Sequence, residues 1–135
     1  MKRILIIASH PDDEVLGCGG VIALASQKGY SVRVIFLAEG VSARYNEEDF
    51  KDNKIIKEIE NRNKNAYKAL GYLGVSEKEI FTSNRYCCRL DTLPQIELIK
   101  DIESHLEDFR PSMVFTHSGD DVNIDHRVAF MSSLA

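Results

Sequence analysis

The sequence predicts an α/β fold, Rossmann-like and three-layered, with helices on both sides of a mostly parallel sheet. Three features predict it: a strand at residues 3–9 built on the uninterrupted apolar run Ile4–Ala8, a second run at Ser31–Ala38 rich in β-branched residues, and amphipathic helical stretches between such runs. Between the first two runs Cys18, Val21, Ile22 and Ala25 recur at helical spacing until Gly29 stops them. A strand, a helix and a second strand in that order imply a parallel pair joined by a right-handed crossover.

The remaining elements follow from the same periodicities. After a loop through Glu39 to Tyr45, Asn46 is the expected cap of a helix whose stripe runs Ile55, Ile56, Ile59, Ala66, Leu70, interrupted by Asn63. Gly71 or Gly74 ends it, and a short strand near Ile80 and Phe81 follows. Beyond a loop carrying Arg85 to Asp91, Pro94 opens a helix with Ile96, Ile99, Ile102, Leu106 and Phe109 at helical period. Residues 112–116 read as a fourth strand. The last helix, from near Asp125, reaches the chain end without glycine, proline or a basic last turn. A single domain over 1–135, incomplete at its C-terminus, is therefore expected.

At 135 residues and 44% hydrophobic content the chain supports one core but not two. Its formal charge of -4 is spread without a basic stripe, so nucleic acid is not an expected partner. Charged residues halt the first apolar run at His10, before a secretory h-region is complete, and no segment has transmembrane length. Cys18, Cys87 and Cys88 form no CxxC pair and are odd in number, which points to a reducing cytoplasm rather than a disulfide framework.

In open α/β sheets ligands gather beyond the carboxyl ends of the strands, above all where strand order reverses. Ser9-His-Pro-Asp-Asp-Glu14 lies at that end of strand one, and His117-Ser-Gly-Asp-Asp-Val-Asn-Ile-Asp-His126 at that end of strand four. With the common order 3-2-1-4 these strands are neighbours, and the two segments share a crevice. Zinc takes imidazole nitrogen and carboxylate oxygen, and a catalytic site uses three protein ligands with one position open. His10, Asp13 and His126 form such a set. Asp12, beside one ligand and itself unbound, is placed to accept a proton from the activated water, while Glu14, Asp121 and Asp125 are candidates for orienting the ligands. The plainer reading of these aspartates, as helix caps, suits Pro11 and the first-turn carboxylates but leaves the facing cluster unexplained. Gly17, Gly19 and Gly20 lack the GxGxxG spacing and read as close packing of helix on sheet.

Ser9–Glu14 matches in full the (A/S)HPDDE signature of the LmbE-like, PIG-L-type family of zinc-dependent N-acetylglucosaminyl deacetylases, which the chain resembles. Val15–Gly20 resembles the family's continuation of that signature, Asp125-His126 the pair closing its second, and Asp121–Arg127 the sugar-modifying branch. The resemblance implies an LmbE-like fold, one Zn2+ per chain on His10, Asp13 and His126, and Asp12 as general base. It implies hydrolysis of the acetamido group of an N-acetylglucosamine-type sugar or conjugate, a small-molecule partner. Asn123 stands where many relatives carry a histidine that stabilises the oxyanion or supplies a proton. An amide donates a hydrogen bond but cannot shuttle protons, so either Asp12 serves as both base and acid or His117 takes the second role. Arg62 occupies the place of a family arginine that reaches the substrate, with a salt bridge to Glu58 as the alternative. Arg44, after strand two at the same sheet edge, is a second candidate for binding substrate. His105 is expected in solvent, and Cys87 and Cys88 without redox function. Because relatives run further past the last ligand, the alternative function is a non-catalytic zinc- or sugar-binding remnant. A fold cut short would expose apolar surface and form a homo-oligomer. A nucleotide-binding module rests on fold analogy alone.

Overall fold

The computed structural model describes all residues, Met1–Ala135. Strands and helices alternate as β1 (Arg3–Ala8), α1 (Asp13–Gln27), β2 (Ser31–Phe36), α2 (Asn53–Tyr72), β3 (Ile80–Phe81), α3 (Gln95–Phe109), β4 (Met113–Phe115) and α4 (Ile124–Leu134). The sheet order is β3-β2-β1-β4, and every pairing is parallel. The order reverses between β1 and β4, the two strands whose carboxyl ends carry the polar clusters, so the expected order 3-2-1-4 is the one observed.

Because successive side chains of a strand point to opposite faces, β1 feeds two cores. Ile4, Ile6 and Ala8 pack with Ile22 and Ala25 of α1 and with Ala66 and Leu70 of α2. Leu5 and Ile7 face the other way, against Leu98, Ile102 and Phe109 of α3 and Ala129 of α4. Each buried Leu, Ile or Val contributes about 1.5–3 kcal/mol, which makes the central strands the rigid base of whatever their ends carry. At the opposite end of the sheet Arg33 is buried. Its guanidinium bonds Glu79 (2.6 Å) and Asp108 (2.8 Å) and lies against the rings of Phe81 and Phe109.

Helix α1 and helix α2 end by the same device. Gly29 (φ +74) and Gly74 (φ +91) adopt the left-handed conformation that side chains resist, so the next N–H returns to the carbonyl five residues back: Tyr30 to Ala25 and Val75 to Leu70, both 3.0 Å.

Several sequence expectations need correction. Asn46 precedes only a 3-10 turn, Glu47–Asp49, and the cap of α2 is Asp52, whose side chain accepts from the Lys54 N–H (2.9 Å). Ile56 and Val21 face solvent rather than the core. In α3 the buried stripe is Leu98, Ile102 and Phe109, while Ile96 is 53% exposed. The helix carries two apolar stripes, and docking on β1 and α4 selects between them. His105 is half-buried with its ring edge-on to Phe81 at 4.6 Å, not in open solvent. Strand β4 spans Met113–Phe115 only, inside the expected 112–116. No helix is long and apolar enough to cross a membrane.

The two stripes of α3 give a direct check. Leu98→Ala is expected to cost about 2–5 kcal/mol through its cavity, and Ile96→Ala no more than about 0.5 kcal/mol, as read by denaturant unfolding.

Candidate metal centre

Pairing of Ile6 with Phe115 brings the chain leaving β1 against the chain leaving β4. The Thr116 hydroxyl donates to the Ile7 carbonyl (3.1 Å), the Ser9 N–H to His117 Nε2 (2.9 Å) and the Ser9 hydroxyl to the Asp125 carbonyl (3.0 Å).

The turn into α1 then separates two adjacent aspartates. Asp12 has φ 115, a left-handed conformation that costs a non-glycine residue on the order of 1–3 kcal/mol. It is held from both sides. The buried Glu14 carboxylate accepts the Asp12 N–H (2.9 Å), and Arg62 donates twice to the Pro11 carbonyl (3.0 and 2.8 Å) and once to Asp12 Oδ2 (3.0 Å). As a result the Asp12 side chain is 57% exposed, while that of Asp13 turns inward at 15% and accepts the His10 N–H (2.9 Å).

Asp13 Oδ2 is the hub of the site. It lies 3.1 Å from His126 Nε2, 3.4 Å from His10 Nδ1 and 3.6 Å from His117 Nε2. The donor atoms of His10, Asp13 and His126 all fall within 4.8 Å of one another. Ligand atoms around a tetrahedral zinc with bonds of about 2.0–2.2 Å sit roughly 3.3–3.6 Å apart, so this set fits an ion with small adjustments. The outer nitrogens point to carboxylates: His10 Nε2 to Asp125 Oδ2 (2.7 Å) and His126 Nδ1 to Asp121 Oδ2 (2.9 Å). A carboxylate holds a proton on the outer nitrogen it faces, so the opposite nitrogen of each ring is the one that can give up its proton to a metal.

Other candidates occupy different positions. His117 stacks on His126 at 3.8 Å and 14°, and its Nε2 accepts from the Ser9 backbone. Its neutral ring therefore carries the proton on Nδ1, and the nitrogen nearest Asp13 is already engaged. A second donor cluster, His117, Asp121 and His126, shares His126 with the first, and the Nε2 of its His117 is engaged by the Ser9 N–H. Asn123 caps α4, its side-chain oxygen accepting from the Asp125 N–H (2.9 Å). Glu14 orients the backbone of Asp12 rather than a ligand. Arg62 grips the Pro11–Asp12 turn rather than Glu58, which accepts from the Tyr45 hydroxyl (2.7 Å). Arg44 is exposed on the 3-10 turn Ser42–Arg44, apart from these contacts. Sequence reasoning missed the Cys88 and Leu90 N–H groups on Asp125, because backbone donors leave no mark in residue type.

Burial alone would push His10 down, but hydrogen bonds to Asp125 and Asp13 outweigh it and raise the pKa to about 9. Burial would raise Asp13 and Asp125. The hydrogen bonds with His10 outweigh it, helped by the charge of His126 at Asp13 and by the Cys88 and Leu90 N–H groups at Asp125, and hold both below the ordinary range. Burial and the neighbouring His126 charge lower His117.

Comparison with known proteins gives one family match and several deacetylase relatives. The family model described as PIG-L, GlcNAc-PI de-N-acetylase, matches residues 5–133. The chain is 30% identical to the uncharacterised deacetylase YaiS of Escherichia coli, over 98% of this chain and 66% of that protein. Among solved structures, the N,N'-diacetylchitobiose deacetylase of Pyrococcus horikoshii superposes with a TM-score of 0.83 at 26% identity, covering 98% of this chain and 48% of that one. A deacetylase of the teicoplanin biosynthetic pathway gives 0.79 at 26% identity, with 98% and 58% covered. The chain thus spans between about half and two thirds of the length of these relatives.

In the metal-free protein the raised pKa of His10 gives stability that is complete below 6.5 and lost as the pH rises through about 9. The lowered Asp13 and Asp125 contribute above 3.8 and lose that contribution as the pH falls below it. Melting temperature in EDTA is therefore expected to decline on both sides of a plateau, and Asp125→Asn to flatten the alkaline decline.

Proposed function

The chain belongs to the PIG-L (GlcNAc-PI de-N-acetylase) family, and from that premise we propose a zinc-dependent hydrolase that removes the acetyl group from an N-acetylglucosamine-type sugar or sugar conjugate. The observation that carries the reading is the convergence of His10 Nδ1 and His126 Nε2 on Asp13 Oδ2, with the unbound carboxylate of Asp12 on the same turn.

A cation held by His10, Asp13 and His126 would supply a Lewis acid that polarises the acetamide carbonyl and lowers the pKa of water to about 7. This chain's own residues do the rest. Asp12 takes the proton of the attacking water as the new carbon–oxygen bond forms. It returns that proton to the nitrogen as the carbon–nitrogen bond breaks, yielding acetate and the free amine. One carboxyl group serves as base and acid because the other candidate, His117, has its pocket-side nitrogen committed to the Ser9 backbone. Arg62 keeps Asp12 aimed by holding the turn on which it sits. Asn123 retains its amide N–H as a donor for the developing oxyanion, its oxygen being used in the cap. Three free thiols, one of them buried, suit a reducing cytoplasm.

Asp12→Asn keeps the ligands and removes the proton acceptor. It is expected to bind zinc as the parent does and to lose about 10²–10⁴ in turnover, read as acetate released from a panel of N-acetylglucosamine derivatives. Undiminished turnover in this variant contradicts the role of Asp12. Zinc binding by the parent with no acetate released across the panel favours the non-catalytic remnant.

A further inference from the structure

Asp125 is completely buried, and its carboxylate receives three donors: His10 Nε2 (2.7 Å) and the Cys88 N–H (2.5 Å) on Oδ2, and the Leu90 N–H (3.1 Å) on Oδ1. Two of the three come from the backbone of one short loop. Such alternating N–H groups in a turn make a concave site for an anion, here the protein's own carboxylate.

The loop reaches this shape through Cys88, at φ 59, a left-handed value that disfavours side chains and disfavours β-branched ones most. Its thiol is not what the fold uses: Cys88 is exposed. The neighbouring residue is the anchor. Cys87 is buried, its N–H donates to Glu39 Oε1 and to the Ser42 hydroxyl (both 3.0 Å), and its sulfur accepts from the Ala43 N–H (3.0 Å). Glu39, also buried, accepts from the N–H groups of Val41 (2.5 Å) and Ser42 (3.1 Å) as well. A continuous set of bonds therefore runs from Glu39 through the 87–90 loop to Asp125 and on to His10.

We propose that the backbone turn at Cys88 is a positioning element for the metal centre. By holding the Asp125 carboxylate in one orientation it fixes the ring of His10 through Nε2–H and keeps Nδ1, the nitrogen left for a metal, beside Asp13. The inference rests on the proposed metal reading for its effect on zinc, but the hydrogen bond it controls exists without metal. If the turn shifts, Asp125 loses a donor while remaining buried, and its grip on His10 loosens. Loss of such a partner behind a ligand typically weakens metal binding by about 10–100-fold.

Three variants of the full chain separate backbone from thiol. Cys88→Gly keeps the N–H and relieves the left-handed strain, Cys88→Ala removes only the sulfur, and Cys88→Val penalises the turn. Zinc affinity is measured by chelator competition, and the His10 Nε2–H signal by nitrogen-edited NMR of the metal-free protein. The expected result is that Val weakens zinc by about tenfold or more and broadens or loses the Nε2–H signal, while Gly and Ala match the parent. Equal affinity and an unchanged Nε2–H signal in Val overturn the positioning claim, as does equal loss in all three, which would assign the effect to the thiol. If the parent binds no zinc, the metal reading fails by itself. The Nε2–H signal in Val against Gly then decides whether the turn controls His10.

Discussion

The pairing of β1 with β4 is the constraint on which the site depends. Three parallel residue pairs, Ile4 with Met113, Leu5 with Val114 and Ile6 with Phe115, bring together segments that the intervening chain would otherwise leave apart. Closing so long a loop is opposed by chain entropy, which grows only slowly with length. Packing of Phe115 against one core and of α3 and α4 against the other offsets that loss. Once the strands are paired, the Ser9 backbone and hydroxyl bond directly to the segment carrying His117 and Asp125. The geometry of the candidate ligands is thus a continuation of sheet register.

Within that frame the division of labour between Asp12 and Asp13 is a backbone effect. Adjacent aspartates have the same chemistry, yet one is turned among three imidazoles and the other toward solvent because φ at Asp12 is 115. The strain is held by groups that have no direct part in ligation, the Glu14 carboxylate and the Arg62 guanidinium. A strained turn can thus set one carboxylate inside a cluster of imidazoles and its neighbour outside it. The same principle recurs at Cys88, where another left-handed residue aims an N–H at Asp125.

Much of this was legible in the sequence. Alternation of apolar runs with helical stripes announces the parallel α/β fold, and the common order 3-2-1-4, assumed rather than derived, is the one that makes the two polar clusters neighbours. The convergence of His10, Asp13 and His126 could be anticipated from residue type and spacing, since the side chains able to hold a metal are few in kind. What was not legible falls where identity underdetermines orientation. Leu98 and Ile96 are equally apolar, and only docking decides which is buried. Asn46 and Asp52 are equally good caps, and the helix begins at the second. His117 has the right residue type for a proton carrier, but its nitrogen is claimed by a backbone N–H that no pattern announces. The supports of Asp125 are backbone groups, invisible in principle to a reading of side chains.

The most direct test of the convergence is anomalous diffraction from crystals of the protein soaked in zinc. A single strong peak bonded at about 2.0–2.2 Å to His10 Nδ1, Asp13 Oδ2 and His126 Nε2, with Asp12 outside the coordination sphere, is the predicted result. A peak that lacks either His10 or His126, or that recruits Asp12 or His117 as a ligand, would contradict it.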